Sequence, residues 1–145
     1  MRVVVQRAKN ASVKVEEKAV GSISEGLVLL VGFTQTDTEK TIDYMVKKIV
    51  NLRIFPDAKG IMNKSILDYN GKILSISQFT LYGDATNGNR PSYIKAAKNY
   101  VAEPLYEKFN TKLREFVPVE TGRFGADMEV SLVNMGPTTI LLEKE

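Results

Sequence analysis

The residues best suited to chemistry in this 145-residue chain lie in the segment Ser77-Gln78-Phe79-Thr80-Leu81-Tyr82. The preceding alternation of apolar and polar residues predicts a half-buried strand over residues 72–79. Where a strand ends, backbone N–H groups lose their ladder partners and can face a ligand. We therefore expect an oxyanion pocket with backbone N–H groups around Gln78 and Phe79 and a hydroxyl from Ser77 or Thr80. Local hydrogen bonds from these hydroxyls to the backbone are the alternative.

The chain contains no histidine and no cysteine, and this composition excludes several common catalysts. A Ser-His-Asp triad, a thiolate nucleophile and nearly every catalytic zinc site require one of those two residues. We predict no metal site and no cofactor. If the protein is an enzyme, hydroxyl groups, backbone amides and the substrate itself must carry the reaction.

Three further polar segments are candidates for binding. They are Gly88-Asn89-Arg90-Pro91-Ser92-Tyr93, residues 121–128, and Asn134-Met135-Gly136-Pro137-Thr138. The first would hold a phosphate through Arg90 and its backbone N–H groups, or it is only a capped loop that enters a helix. The second surrounds an aromatic residue with glycines and indicates either a pocket wall or a bulged strand. The third predicts a rigid hairpin tip with two carbonyl oxygens in set directions, or simply a turn.

Basic residues are distributed unevenly along the chain. Residues 1–102 carry 15 Lys and Arg against 9 Asp and Glu, whereas residues 103–145 carry 5 against 8. Arg90, Lys95 and Lys98 lie in a stretch without any acidic residue. Such a stretch favours contacts with the phosphates of a nucleic acid, and a solvated surface of mixed charge is the alternative.

The remaining pattern predicts one α/β domain over residues 1–145, with sheet layers covered by helices on one side. A helix capped by Thr38 and a helical region from Ser92 to Phe116, split at Pro104, are expected. Strands are expected at residues 1–8, 13–16, 19–23, 26–33, 61–66, 72–79, 128–133 and 138–142. No apolar run approaches the ~20 residues of a membrane span, and no signal peptide precedes the first strand. We therefore expect a cytoplasmic protein.

In this order and at these separations, the four polar segments resemble the D-aminoacyl-tRNA deacylase family, also called D-tyrosyl-tRNA deacylases. The resemblance covers essentially the whole chain, and the motifs at residues 77–81 and 134–137 are the specific ones. Thr138 stands where the family more usually has valine, a nearly isosteric change. The resemblance implies a barrel-like, three-layer α/β/β fold. It also implies hydrolysis of the ester that joins a D-amino acid, or glycine, to the 3′-terminal ribose of tRNA.

The resemblance further implies a homodimer with its active sites at the subunit interface. The peptide bond between Gly136 and Pro137 would be cis and would reach from one subunit into the pocket of the other. There it would sense the configuration of the substrate's α-carbon, and Arg7 would help to hold it. The ester would be surrounded by Ser77, Gln78, Phe79 and Thr80, and the adenosine by Phe124 and Met128.

The attacking group and two other functions stay open on sequence alone. Thr80 is the obvious side-chain nucleophile, yet no base that could deprotonate it is visible in the sequence. Hydroxyl and amide stabilisation, assisted by the substrate's own 2′-hydroxyl, is therefore favoured over a covalent intermediate on Thr80. The alternatives to a deacylase are a non-catalytic nucleic-acid binding module and a small-molecule esterase that uses Thr80 or Ser77.

Overall fold

The computed structural model describes all 145 residues and contains a mixed five-stranded sheet, a two-stranded sheet and three α-helices. The strands are β1 (Arg2–Val15), β2 (Lys18–Gly32), β3 (Phe55–Pro56), β4 (Met62–Lys64), β5 (Lys72–Ser77), β6 (Val119–Thr121) and β7 (Glu129–Glu143). The helices are α1 (Glu39–Asn51), α2 (Ile66–Tyr69) and α3 (Asn99–Arg114), and a 3₁₀ turn spans Phe79–Tyr82. The large sheet has the strand order β6-β5-β2-β1-β7.

β1 and β2 form one long antiparallel hairpin, where the sequence predicted four shorter strands within residues 1–33. The prediction of separate strands was wrong because bulges interrupt the alternation without ending the pairing. Asn10, with a left-handed φ of 50°, lies at an irregularity in the pairing of β1 with β7, whereas the register between β1 and β2 shifts only between Val13 and Lys14. The predicted strands at residues 13–16 and 19–23 place the turn at residues 17–18. The observed turn is formed one residue earlier, by Glu16 and Glu17, whose φ angles are 50° and 67°.

The sheet carries a hydrophobic cluster on each face. β2 pairs in parallel with β5, and β5 with β6, so α1 and α3 serve as crossovers and cover one face. Leu27 and Ile73 belong to the large cluster under these helices, whereas Val28 and Leu74 belong to a smaller cluster on the opposite face. Val130 of β7 packs on that smaller cluster. The predicted single-domain α/β architecture is therefore confirmed.

The first predicted helix is found as expected, but the second is shorter. Thr38 caps α1, whereas α3 begins at Asn99 rather than Ser92, ends at Arg114 and continues through Pro104 without a break. Residues 92–98 are not helical because their backbone bonds to other elements, as in the Ala97 N–H donation to the Phe33 carbonyl (2.9 Å). Three aromatic residues of the predicted helical region are exposed: Tyr93, Tyr100 and Phe116. None of the helices combines the length and apolar content needed to cross a bilayer.

The segment around Gly136 and Pro137 is a bulge rather than the predicted hairpin tip. The segments on both sides of it pair antiparallel with the same strand, β1, so the chain does not reverse. Gln6 pairs with Thr139 and Ala8 with Asn134, which leaves residues 135–138 looped out opposite Arg7. β7 lies at the edge of the sheet, so the bulge lies on an open side of the chain.

The other edge assignments differ in detail. The strand predicted at residues 61–66 is β4, and it pairs with β3 instead of joining the large sheet. The short helix α2 follows it, and Asn70, with φ 58°, ends α2 before β5 begins. The strand predicted over 72–79 ends at Ser77.

Gly26, where β2 meets β5, provides a stability test. Its φ is 150°, and a Cβ added there would lie 1.7 Å from the Lys72 carbonyl oxygen. We expect Gly26→Ala to lower the free energy of unfolding by about 3 kcal/mol or more, because two paired strands must move apart. Gly60→Ala is the matched control, since Gly60 also has a positive φ but nothing lies within 4 Å of its added Cβ. Urea denaturation measures both variants, and equal losses would contradict the steric explanation.

Candidate active site

A cleft of about 300 Å³ opens beside the carboxyl end of β5 and the first turn of α3. Ten of its 16 lining residues are hydrophobic, which suits a site that takes up a largely apolar ligand surface. Five of the residues predicted from sequence line it: Ser77, Gln78, Phe79, Phe124 and Met128. Sequence reasoning missed several others, among them Phe33, Ala97, Asn99 and Ala102. These residues reach the cleft through tertiary packing, which no local sequence motif predicts.

The backbone at the end of β5 differs from the predicted oxyanion pocket in one respect. The Gln78 N–H donates to the Val31 carbonyl at 2.7 Å, so this amide is occupied by the sheet. The 3₁₀ turn then begins, and its first internal bond runs from the Leu81 N–H to the Gln78 carbonyl (3.3 Å). The N–H groups of Phe79 and Thr80 precede that bond and have no acceptor within the turn. These two amides, rather than that of Gln78, are therefore placed to meet a ligand.

Thr80 is exposed, and its hydroxyl oxygen accepts a hydrogen bond from the Gln78 side-chain nitrogen. Because the oxygen already accepts from Gln78, the hydroxyl proton remains to be donated elsewhere. Thr80 itself does not line the cleft, and Asp127 is the only ionisable side chain that does. No group of three or more acidic side chains lies close enough together to hold a metal ion.

Arg2 anchors the end of the 3₁₀ turn, which is formed by Leu81 and Tyr82. Arg2 Nη1 donates to the Leu81 carbonyl at 2.8 Å, and its guanidinium carbon lies 4.5 Å from the centre of the Tyr82 ring. Tyr82 is buried, and this burial, together with the nearby charge of Asp37, raises the pKa of its hydroxyl to about 12. The turn that carries Thr80 is thus tied to the first residues of β1. The sequence did not indicate this contact, because the position of an arginine in a predicted strand does not show which distant carbonyl or ring it will contact.

The opposite wall of the cleft is positioned by a buried tyrosine and a glycine. The rings of Tyr106 and Phe124 lie 5.9 Å apart, and the Tyr106 hydroxyl donates to the Ser75 carbonyl at 2.7 Å. Burial raises the pKa of Tyr106, so its hydroxyl stays protonated and can donate this bond. Gly122 leaves room for Met128, since a Cβ there would lie 2.5 Å from the Met128 sulfur. The apolar wall at Phe124 and Met128 is therefore supported by specific contacts.

Hydrogen bonds from one side chain close the bulge at residues 135–138. Asn134 Nδ2 donates to the Arg7 carbonyl (3.1 Å) and to the Thr138 carbonyl (2.9 Å), across the neck of the bulge. The Gly136–Pro137 peptide bond is cis. A Cβ on Gly136 would lie 3.2 Å from Arg7 Nη2, so the Arg7 side chain lies directly beside the bulge. Asn134 is thus a positioning residue that the sequence motif contained without indicating its role.

The bulge and the cleft are separate within one chain. Neither Gly136 nor Pro137 lines the cleft, and Arg7 borders a different cavity, of about 100 Å³. Residues predicted to surround the ester and residues predicted to sense the α-carbon are therefore not brought together within the single chain.

The three predicted phosphate contacts lie on the exposed segment between the 3₁₀ turn and α3. Two of them have backbones held against the segment after β2. The Lys95 carbonyl accepts from Thr34 Oγ1 (2.6 Å), and the Lys98 N–H donates to Gln35 Oε1 (3.2 Å). The side chains of Arg90, Lys95 and Lys98 are exposed and make no ion pair within the chain.

The fold and the motifs recur in known proteins. The family model described as "D-Tyr-tRNA(Tyr) deacylase" matches residues 4–143. The D-aminoacyl-tRNA deacylase of Brevibacillus brevis is 59% identical over 144 residues, which cover 99% of each chain. That of Shouchella clausii is 57% identical over 146 residues, which cover 100% of each. The chain therefore belongs to the D-aminoacyl-tRNA deacylase family, which confirms the predicted family and class: a hydrolase acting on the ester bond of aminoacyl-tRNA.

Two solved structures share the fold. One is described as "c-Myc DNA Unwinding Element Binding Protein" and is 40% identical, with a TM-score of 0.95 over 100% of this chain and 99% of that one. The other is described as a probable eukaryotic D-amino acid tRNA deacylase and has a TM-score of 0.84 over 97% of both chains. Its sequence identity is 18%, so this second similarity concerns the fold alone.

The raised pKa of Tyr82, the buried last residue of the 3₁₀ turn, leads to a prediction about stability at alkaline pH. Its pKa is raised from 10 to about 12 in the folded chain, so the folded state keeps a proton that the unfolded state loses above pH 10. The stability contributed by the protonated hydroxyl is complete below pH 10 and is lost as the pH rises from 10 to 12. We expect Tyr82→Phe to lose less unfolding free energy between pH 9.5 and 11 than the wild type. Urea denaturation across this range measures the difference, and identical slopes would contradict it.

Proposed function

We propose that the cleft hydrolyses the ester of D-aminoacyl-tRNA by holding the ester carbonyl against the 3₁₀ turn. The observation that carries this proposal is the pair of N–H groups of Phe79 and Thr80, which have no acceptor within the turn. Phe79 lines the apolar cleft, and Thr80 is the next residue of the turn. Preorganised donors of this kind stabilise the negative charge that develops on the carbonyl oxygen in the transition state. The cleft between Phe124 and Met128 would receive the terminal adenosine.

The surroundings of Thr80 support a role in positioning rather than in covalent catalysis. Its hydroxyl oxygen accepts from Gln78, and no basic group lies within hydrogen-bonding distance of it. An aminoacyl ester is already activated, so orientation and charge stabilisation suffice to accelerate its hydrolysis. The substrate's vicinal 2′-hydroxyl would assist by orienting or activating the attacking water.

The separation of the bulge from the cleft supports a homodimer. In a two-fold dimer, the bulge of each subunit would reach the cleft of the other, which completes two equivalent sites. Gly136 has no Cβ and permits close backbone approach, and carbonyl oxygens of the bulge would bind the substrate's α-amino group. An L-amino acid would then direct its side chain into the backbone, whereas D-amino acids and glycine would fit.

The direct test is an assay with three substrates. We expect rapid hydrolysis of D-aminoacyl-tRNA, no measurable hydrolysis of the matching L-aminoacyl-tRNA, and hydrolysis of glycyl-tRNA. Equal rates for the D and L substrates would contradict chiral selection. Tight tRNA binding without hydrolysis would favour the nucleic-acid binding module, and preference for a simple activated ester would favour the esterase.

Variants of Thr80 distinguish positioning from covalent catalysis. We expect Thr80→Ser to keep most of the turnover, and Thr80→Ala to lose about 10²–10³-fold, the usual effect of removing one oxyanion or positioning donor. Steady-state kinetics measures both. An acyl-enzyme trapped on Thr80 and identified by mass spectrometry would overturn this ranking.

Complementation between subunits tests the shared site. A Cβ at Gly136 would lie 2.6 Å from Thr138 Oγ1 and 2.8 Å from the Thr138 nitrogen, so Gly136→Ala should distort the bulge and abolish activity. If each site uses Thr80 from one subunit and Gly136 from the other, a mixed dimer of Thr80→Ala and Gly136→Ala contains one intact site. An equal mixture after subunit exchange should recover about a quarter of wild-type activity, by random pairing of a two-fold dimer.

Light scattering provides the companion measurement, with an expected mass of about twice 16.2 kDa. No recovery in a mixture that has exchanged subunits would show that both residues act within one chain. A fully active monomer would exclude the shared site altogether.

A further inference from the structure

Two exposed aromatic rings extend one wall of the cleft outward. Phe79 and Tyr93 pack edge to face, with ring centres 5.1 Å apart and planes at 68°. Phe79 lines the cleft, whereas Tyr93 lies outside it on the segment that carries Arg90 and Lys95. Both rings remain substantially exposed, at 57% for Phe79 and 41% for Tyr93. The two rings therefore continue the apolar lining of the cleft onto the segment that carries Arg90 and Lys95.

The position of Tyr93 is set by backbone contacts. A Cβ on Gly83 would lie 2.9 Å from the Tyr93 ring, so the ring packs directly on the Gly83 backbone. Asp84 and Ser92 exchange two backbone hydrogen bonds of 2.8 Å each, which tie the segment to the end of the 3₁₀ turn. The Asp84 carboxylate accepts from the backbone N–H and the hydroxyl of Thr86, and this lowers its pKa. The Asp84 carboxylate is thus engaged locally.

We propose that Tyr93, together with Phe79, is a stacking surface for the unpaired nucleotides that precede the terminal adenosine of the tRNA. This inference rests on the proposed function, in which the adenosine fills the cleft and the preceding nucleotides must leave through its mouth. Aromatic rings beside cations are the usual means of holding single-stranded nucleic acid, because every base offers a face for stacking. The charges of Arg90, Lys95 and Lys98 complement the phosphates between those nucleotides.

Two substrates of different length test the proposal. For D-aminoacyl-tRNA, we expect Tyr93→Leu to raise KM about tenfold with little change in kcat, the effect of losing one stacked base, and Tyr93→Phe to stay within about twofold of the wild type because it keeps the ring. For D-aminoacyl-adenosine, which lacks the preceding nucleotides, KM should not change. Tyr44→Leu is the matched control, since Tyr44 is 42% exposed on α1. An unchanged KM for tRNA, or an equal rise for both substrates, would overturn the proposal.

A binding measurement keeps this inference separate from the catalytic one. The chain has no tryptophan, so Tyr93→Trp introduces a single tryptophan, at the stacking surface, whose emission can be excited apart from that of the tyrosines. We expect the trinucleotide CpCpA to quench its emission, and adenosine monophosphate to leave it unchanged. Quenching in a protein that hydrolyses neither substrate would support the surface while refuting the proposed function. No quenching by CpCpA, or a spectral shift with protein concentration alone that shows a second copy covering the ring, would refute the stacking surface.

Discussion

The pairing of β5 with β2 ends in a hydrogen bond from the Gln78 N–H to the Val31 carbonyl, and the candidate site depends on that end point. One residue later the chain enters a 3₁₀ turn, which leaves the N–H groups of Phe79 and Thr80 outside both the ladder and the turn. If β5 were longer, these N–H groups would be used in hydrogen bonds to β2. If an irregular loop followed β5 instead of a 3₁₀ turn, the two N–H groups would not be held in one orientation. The parallel pairing thus determines which backbone groups are available for chemistry.

Around that point the proposed mechanism uses fixed donors and apolar walls instead of titrating side chains. Phe124 is backed by the buried Tyr106, and the turn is anchored by Arg2 and Tyr82. These supports are buried or backbone-bonded, so the donors need little reorganisation when charge develops. Under the proposed function, a chain without histidine would in this way promote the hydrolysis of an ester that is already reactive.

The sequence predicted those elements whose structure depends on neighbouring residues in the chain. The apolar run at residues 26–33 predicted a strand, which forms part of β2, and the Thr38 cap with its spaced apolar residues predicted α1. The errors arose where tertiary hydrogen bonds override propensity, as at residues 92–98, which bond to the segments after β2 and after the 3₁₀ turn instead of forming a helix. Composition and motifs indicated Ser77 to Thr80, but the use of the Gln78 amide by Val31 depends on a partner far away in sequence. The bulge at Gly136 was mistaken for a hairpin tip because strand partners are not visible in sequence.

The bulge in β7 also has a consequence for solubility. β7 is a 15-residue edge strand, and a long regular edge offers its unpaired backbone groups to any other strand. At residues 135–138 the backbone leaves the ladder, so an incoming strand could not stay in register along the whole edge. The interruption divides the edge into two shorter stretches, and each of these pairs less readily with a strand of another molecule. Open-ended growth of the sheet into aggregates is thereby opposed by the same four residues that are proposed to recognise the substrate.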